Sequence, residues 1–125
     1  MICILLVDDN NIARTVLCRQ LCKEGYGVME AESGPVALTM LLKSKFQLVL
    51  LDFVMQPMTG LEVLQRIRRS YTPNELPVVM MSSTRDAELV LRATQLGAND
   101  FVFRPFQLQE ILRKILHQLE EAKPA

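Results

Sequence analysis

The sequence carries no net charge: 14 lysines and arginines cancel 14 aspartates and glutamates over 125 residues. Non-specific nucleic-acid binding needs a basic face that displaces counterions. Docking on an anionic membrane surface needs basic residues too. Neither is expected here, and no basic stripe or spare helix-turn-helix segment is left for direct DNA contact. No apolar stretch approaches the roughly 20 residues of a membrane span, so no membrane insertion is expected. Met1–Val7 is apolar but lacks a basic start and runs straight into Asp8-Asp9, which makes it a strand and not a signal peptide. The three cysteines, Cys3, Cys18 and Cys22, form no CxxC pair and have no nearby histidine. Cys18 and Cys22 share a face of a predicted helix, but a metal there would need two more ligands. That spacing excludes a disulfide framework and fits reduced thiols in a cytoplasmic protein. The length holds one domain and leaves no room for a second.

What is present is an alternation of short apolar runs and amphipathic segments, repeated five times. Strands are expected at Ile2–Val7, Tyr26–Ala31, Phe46–Leu51, Pro77–Met81 and Phe101–Phe103. Helices are expected at Asn11–Lys23, Pro35–Lys43, Leu61–Arg69, Asp86–Leu96 and Gln107–Glu121. Ile12, Val16, Leu17 and Leu21 recur at helical spacing in the first helix. Gly25 and Gly97 stop helices, and Ser33 with Pro35 starts one. Phe46–Leu51 is mostly apolar on both faces, as a central parallel strand covered on both sides would be. Ser70–Leu76, with Pro73 and Asn74, reads as a loop. The seven methionines read as core filler. His117 reads as a solvated surface residue beside the apolar stripe of the last helix. Residues 1–121 make the domain, and residues 122–125 have lost the pattern and read as a tail or the start of a linker. Five successive βα units imply a parallel sheet with helices on both faces, an α/β three-layer sandwich.

Asp8 and Asp9 end the first strand and Asp52 ends the third. If those strands are neighbours, three carboxylates converge at one sheet edge. In a partly desolvated crevice such like charges repel strongly. A hard cation relieves them, and Mg²⁺ suits because it takes one or two carboxylates, keeps waters and leaves positions for phosphate oxygens.

Four blocks then resemble the receiver domains of bacterial two-component response regulators. They are Val7-Asp8-Asp9-Asn10; Leu51-Asp52-Phe53-Val54-Met55 with Met58-Thr59-Gly60; Pro77-Val78-Val79-Met80-Met81-Ser82; and Gly97-Ala98-Asn99-Asp100-Phe101 with Arg104-Pro105-Phe106. They stand in register over nearly the whole chain. The resemblance implies a flavodoxin-like doubly wound (βα)5 fold with strand order 2-1-3-4-5. It implies Asp52 as phosphoacceptor. Asp8, Asp9, Asp52 and the Val54 backbone carbonyl would hold Mg²⁺. Ser82 and Arg104 would be phosphoryl contacts, Phe101 a switch aromatic and Arg104-Pro105 a cis peptide. The implied partners are a sensor histidine kinase or histidine phosphotransfer protein, and downstream a second copy or a fused output domain. The implied output face is the fourth helix, fifth strand and fifth helix, with Asp86, Glu88, Arg92, Arg113 and Lys114. Such a protein is a signalling phosphoacceptor, catalysing only its own phosphorylation and dephosphorylation.

Two positions depart from the family. Arg104 stands where a lysine is usual, and a planar guanidinium is no equivalent of a compact ammonium. It can support phosphorylation with altered rates, or clamp Asp52 and lock one state. In Met55-Gln56-Pro57-Met58 the proline sits one place later than usual, which bears on the loop carrying Val54. Thr59 replaces the usual Asp or Asn. These departures keep open a docking module that works without phosphate. A flavin site on the same fold would need a neutral first loop presenting backbone N–H groups, and Asp8-Asp9-Asn10-Asn11 is acidic.

Overall fold

In a computed structural model, which describes residues 1–122, the apolar runs form β1 (Cys3–Val7), β2 (Gly27–Ala31), β3 (Leu48–Asp52), β4 (Val78–Ser82) and β5 (Asp100–Phe103). Between and after them lie α1 (Asn11–Lys23), α2 (Gly34–Lys43), α3 (Gly60–Arg68), α4 (Ala87–Gln95) and α5 (Leu108–Glu121). The strands are parallel, in the order β2-β1-β3-β4-β5. Residues 123–125, most of the expected tail, lie outside the described residues. Among those described, no helix is long and apolar enough to cross a membrane.

Successive side chains of a strand face opposite ways, so each central strand feeds two cores. Leu5, Val7, Val49, Leu51, Val78 and Met80 point toward α2, α3 and α4, where Ala37, Leu41, Val63, Leu64 and Ala93 meet them. Ile4, Leu6, Leu48, Leu50, Val79 and Met81 point toward α1 and α5, meeting Leu17, Leu21, Ile111 and Ile115. That is why β3 is apolar throughout: Leu48 to Leu51 are all wholly buried. The helix stops are also local. Gly25 (φ 96°) and Gly97 (φ 103°) take the left-handed backbone that side chains resist. Ser33 and Thr59 accept the amides of Val36 and Glu62 as N-caps.

Three expectations need correction. Ile12 and Val16 do not face the core; they are 79% and 51% exposed. They form one i,i+4 row of α1, whereas Leu17 and Leu21 form the adjacent row, and only that second row meets the sheet. β3 begins two residues later than the apolar run, at Leu48, with Phe46 buried before it, and extends to Asp52. β4 includes Ser82, which therefore ends the strand instead of following it.

The loop after α3 is held by a contact the sequence does not announce. The Arg68 guanidinium donates to the carbonyls of Gly97 (2.9 Å), Leu76 (2.9 Å), Tyr71 (3.2 Å) and Thr72 (3.3 Å), and to Asn99 Oδ1 (2.9 Å). Asn99 Oδ1 also accepts the Val78 amide, and its Nδ2 donates to the Pro73 carbonyl. None of these partners is a carboxylate. Burial pushes the guanidinium down to about 10, so it remains charged at neutral pH. A Cβ at Gly97 would come within 2.8 Å of Arg68 Nε, so the glycine serves both the left-handed turn and the clamp. Arg68→Met keeps the apolar stem and removes the donors. It should lower unfolding free energy by about 2–3 kcal/mol, the scale of charge-assisted bonds lost from part-buried acceptors. Urea unfolding reads this as a lower midpoint at unchanged slope; an unchanged midpoint would mean the clamp contributes nothing.

Candidate functional site

Strand register assembles the site. Val7 pairs with Leu51, so Asp8, one residue beyond, lies beside Asp52 at the carboxyl end of β3. Asp52 pairs with Met81, which puts Ser82 one step further along β4, and Ser82 pairs with Phe103, which puts Arg104 one step past β5. A doubly wound sheet presents its ligand crevice at this edge.

Each turn at the edge is shaped by its own side chains. Asp8 Oδ1 accepts the Asn10 amide (2.9 Å), and Asn10 Oδ1 accepts the Ala13 amide (3.0 Å), so the chain leaves β1 and enters α1 within three residues. Arg14 Nη1 donates to the Asp8 carbonyl (2.7 Å) while its Nε bonds Glu30 (3.0 Å), pinning that turn to β2. On the β3 side the Phe53 amide bonds the Met81 carbonyl and the Gly60 amide bonds the Phe53 carbonyl. Any Cβ at Gly60 would overlap the Asp52 carbonyl oxygen and sit 2.9 Å from Phe53 Cα. Only glycine lets α3 start this close behind Asp52. Thr59, a departure from the family, still caps α3, as the usual Asp or Asn would. The Gln56-Pro57 and Arg104-Pro105 peptides are both cis.

The result is a cleft of about 220 Å³ whose lining includes Asp8, Asp9, Asp52, Val54, Ser83 and Arg104. Carboxylate oxygens of Asp8, Asp9 and Asp52 lie within 4.8 Å of one another. Asp8 is buried, Asp52 half-buried and Asp9 exposed. Burial, and next the Asp8 charge, raise the Asp52 carboxyl from 3.8 to about 7, against the opposing pull of Arg104 and the Val54 amide. Such a cluster is short of positive charge. Its all-oxygen donor set, open at Asp9 and Asp52, fits a hard divalent cation such as Mg²⁺ better than a soft one.

The remaining expected residues are placed less simply. Arg104 does not clamp Asp52: its Nη2 donates to Asp8 Oδ2 at 2.9 Å, and its guanidinium lies over the Phe106 ring at 5.7 Å. Ser82 is wholly buried, with its hydroxyl donating to the Thr84 carbonyl (2.9 Å) and accepting the Thr84 amide (3.0 Å). It is Ser83 that lines the cleft. Phe101 lies outside the cleft, half-buried and stacked parallel on Phe103 with centroids 6.1 Å apart, and Arg85 covers the Phe103 ring at 4.6 Å. Sequence reasoning missed Ser83, Asn10 and Arg14. Ser83 had a signal, since it too follows the apolar run of β4 at the ligand edge.

The raised Asp52 carboxyl sets a sign for stability. A group whose folded value lies above its unfolded one contributes most below the unfolded value, and that contribution is lost as pH rises through the folded value. In EDTA, Asp52→Asn should therefore match the parent near pH 4 and exceed it above pH 7. The difference should be about 1–2 kcal/mol, reduced from the full linkage value because the carboxyl is part-exposed. Denaturant unfolding at pH 5 and pH 8 measures it; a gap that does not widen with pH would refute the assignment.

Comparison with known proteins agrees with this geometry. The family model described as "Response regulator receiver domain" matches residues 4–116. The chain is 35% identical over 120 residues to chemotaxis protein CheY-3 of Vibrio cholerae, covering 93% of this chain and 92% of that one. Its fold superposes on a CheY-like response regulator receiver domain protein from Methanospirillum hungatei with TM-score 0.92 and 25% identity, covering 98% and 96% of the two chains. It also superposes on response regulator TrrA from Thermotoga maritima, solved in complex with Mg(2+)-BeF, with TM-score 0.84 and 29% identity over 94% and 99%. The chain belongs to the response regulator receiver domain family.

Proposed function

We propose that Asp52 accepts a phosphoryl group from the phosphohistidine of a sensor histidine kinase or histidine phosphotransfer protein, in a Mg²⁺-dependent reaction. The observation that carries this is the meeting of three carboxylate oxygens within 4.8 Å at the ends of β1 and β3. Asp8, Asp9, Asp52 and the Val54 carbonyl are the groups that would hold the cation. When bound, it supplies charge neutralisation and orients phosphoryl oxygens. The chain's own work is positioning. Asp52 must be ionised to attack phosphorus, so the group that relieves its crowding also readies it as a nucleophile. The ionised Asp52 oxygen forms the new P–O bond as the P–N bond to the donor ring breaks, and the donor histidine, its other ring nitrogen already protonated, leaves as neutral imidazole. Arg104 and Ser82 would then bond the phosphoryl oxygens.

Switching follows from the Ser82 exchange. Its hydroxyl donates one neutral bond, on the order of 1 kcal/mol, to the Thr84 carbonyl; redirected to a phosphoryl oxygen, the same donor makes a charge-assisted bond of roughly 1.5–3 kcal/mol. About 1.4 kcal/mol moves a two-state equilibrium tenfold, so this exchange biases the β4–α4 loop without remaking the core. Phe101 would follow that loop, altering the face of α4, β5 and α5 that carries Asp86, Glu88, Arg92, Arg113 and Lys114. A second copy or a fused output domain would read that face. Residues 1–121 form the switching unit, working in the cytoplasm, where the free thiols stay reduced. A phosphate-independent docking module has no use for three carboxylates held together against their repulsion, so that reading is not favoured.

Incubation with Mg²⁺ and a small-molecule phosphodonor should add one phosphoryl group to the intact mass. The adduct should vanish in Asp52→Ala and in EDTA. No adduct with a fast donor would overturn the phosphoacceptor reading and restore the docking module.

A further inference from the structure

Each Asp8 carboxylate oxygen already accepts a hydrogen bond. Its side chain is 3% exposed; Oδ1 accepts the Asn10 amide and Oδ2 accepts Arg104 Nη2, both at 2.9 Å. Arg104 is itself well anchored. Its amide donates to the Ser82 carbonyl (2.8 Å), and the Phe106 ring backs its guanidinium. Three carboxylates thus share one guanidinium, which bonds the most buried of them. Among the described residues, no side-chain cation bonds Asp9 or Asp52. A cation entering the cleft has those two acids open to it, but at Asp8 Oδ2 it meets Arg104 already bonded.

We propose that Arg104 is a resident counter-ion that competes with the divalent cation for Asp8, so that this one contact sets the metal affinity of the site. The inference rests on the proposed metal site and adds to it a residue that regulates loading. The chemistry supports direct competition. Guanidinium and a hard cation both seek carboxylate oxygen, and two cations brought to one buried oxygen repel each other. The planar, permanently charged arginine also cannot escape the conflict by losing a proton. Phe106 offers the guanidinium a face to rest on after it leaves Asp8, so displacement does not strand the charge in an apolar setting.

The test is a double-mutant cycle read by Mg²⁺ binding alone, with no phosphodonor present. Isothermal titration, or Mn²⁺ binding by electron paramagnetic resonance, would follow the full chain, Arg104→Gln, Asp8→Asn and the double variant. Circular dichroism would check folding, and Arg104→Met would replace the glutamine variant if that one is unfolded. Arg104→Gln should bind metal about tenfold more tightly, the scale of one charge-assisted bond no longer to be broken. In the Asp8→Asn background the same substitution should change affinity less than about threefold, because the contact is already gone. An unchanged or weaker affinity in Arg104→Gln overturns the proposal. So does an equal gain in both backgrounds, which would mark a general charge effect. Parent and variants that all fail to bind metal would instead remove the metal site itself and the proposal with it. The two failures are therefore distinct.

Discussion

The structure is organised around a repulsion. Three carboxylates sit within 4.8 Å at the ends of two neighbouring parallel strands, and one of them is buried. In a medium less polarisable than water that costs free energy: burial first, and then the Asp8 charge, push the Asp52 carboxyl up. Everything beneath and around the cluster bears the load. Leu48 to Leu51 and Ile4 to Val7 give two wholly buried strands that cannot splay without opening both cores. Arg14 ties the Asp8 turn to β2, Asn10 locks that turn into α1, and Gly60 brings the start of α3 up behind Asp52. A functional site held in an unfavourable charge state needs such surroundings, or the backbone would relax away from it.

The two edges of the sheet are built differently because they do different work. At the carboxyl edge the acids face a cleft, and among the described residues Asp8 is the one acid there with a side-chain cation bonded to it. At the opposite edge, where β4 begins, Arg68 gathers carbonyls from two segments of chain, and Asn99 satisfies both the strand amide and the loop carbonyl. Asn99 and Gly97 are part of a family block, yet neither approaches the acidic cleft. Their job is to fasten β5 and the loop after α3.

Much of this could be read in the residues, and the limits of that reading are physical. Apolar runs locate strands because a doubly covered strand has no polar face to show, which is why β3 and β4 were plain. The three acids were legible because chain position alone puts them at strand ends; their neighbourhood required the strand order, which came from the family resemblance and not from periodicity. The exposed row Ile12–Val16 could not be told from the buried row Leu17–Leu21, because helical spacing identifies rows four apart without saying which of two adjacent rows meets the sheet. Arg68 was silent because its partners are backbone carbonyls, which every residue has. The orientation of Ser82 and the choice of Asp8 over Asp52 by Arg104 are rotamer outcomes, decided by contacts among residues distant in sequence.

Those last two details carry the most functional weight. Asp52 is flanked by β1 and β4, and on each side a neighbour's polar group is already committed: Asp8 to Arg104, Ser82 to Thr84. Neither commitment is strong. One is a single charge-assisted bond at a half-exposed arginine; the other is a pair of neutral bonds within a short loop. In the proposed function both would give way to something more highly charged, the first to a cation and the second to a phosphoryl oxygen. A site whose resting contacts are each worth only a few kcal/mol, set on a fully buried pair of strands, can change its partners without unfolding. The rigidity of β1 and β3 and the weakness of the bonds at their ends are thus complementary requirements of one switch.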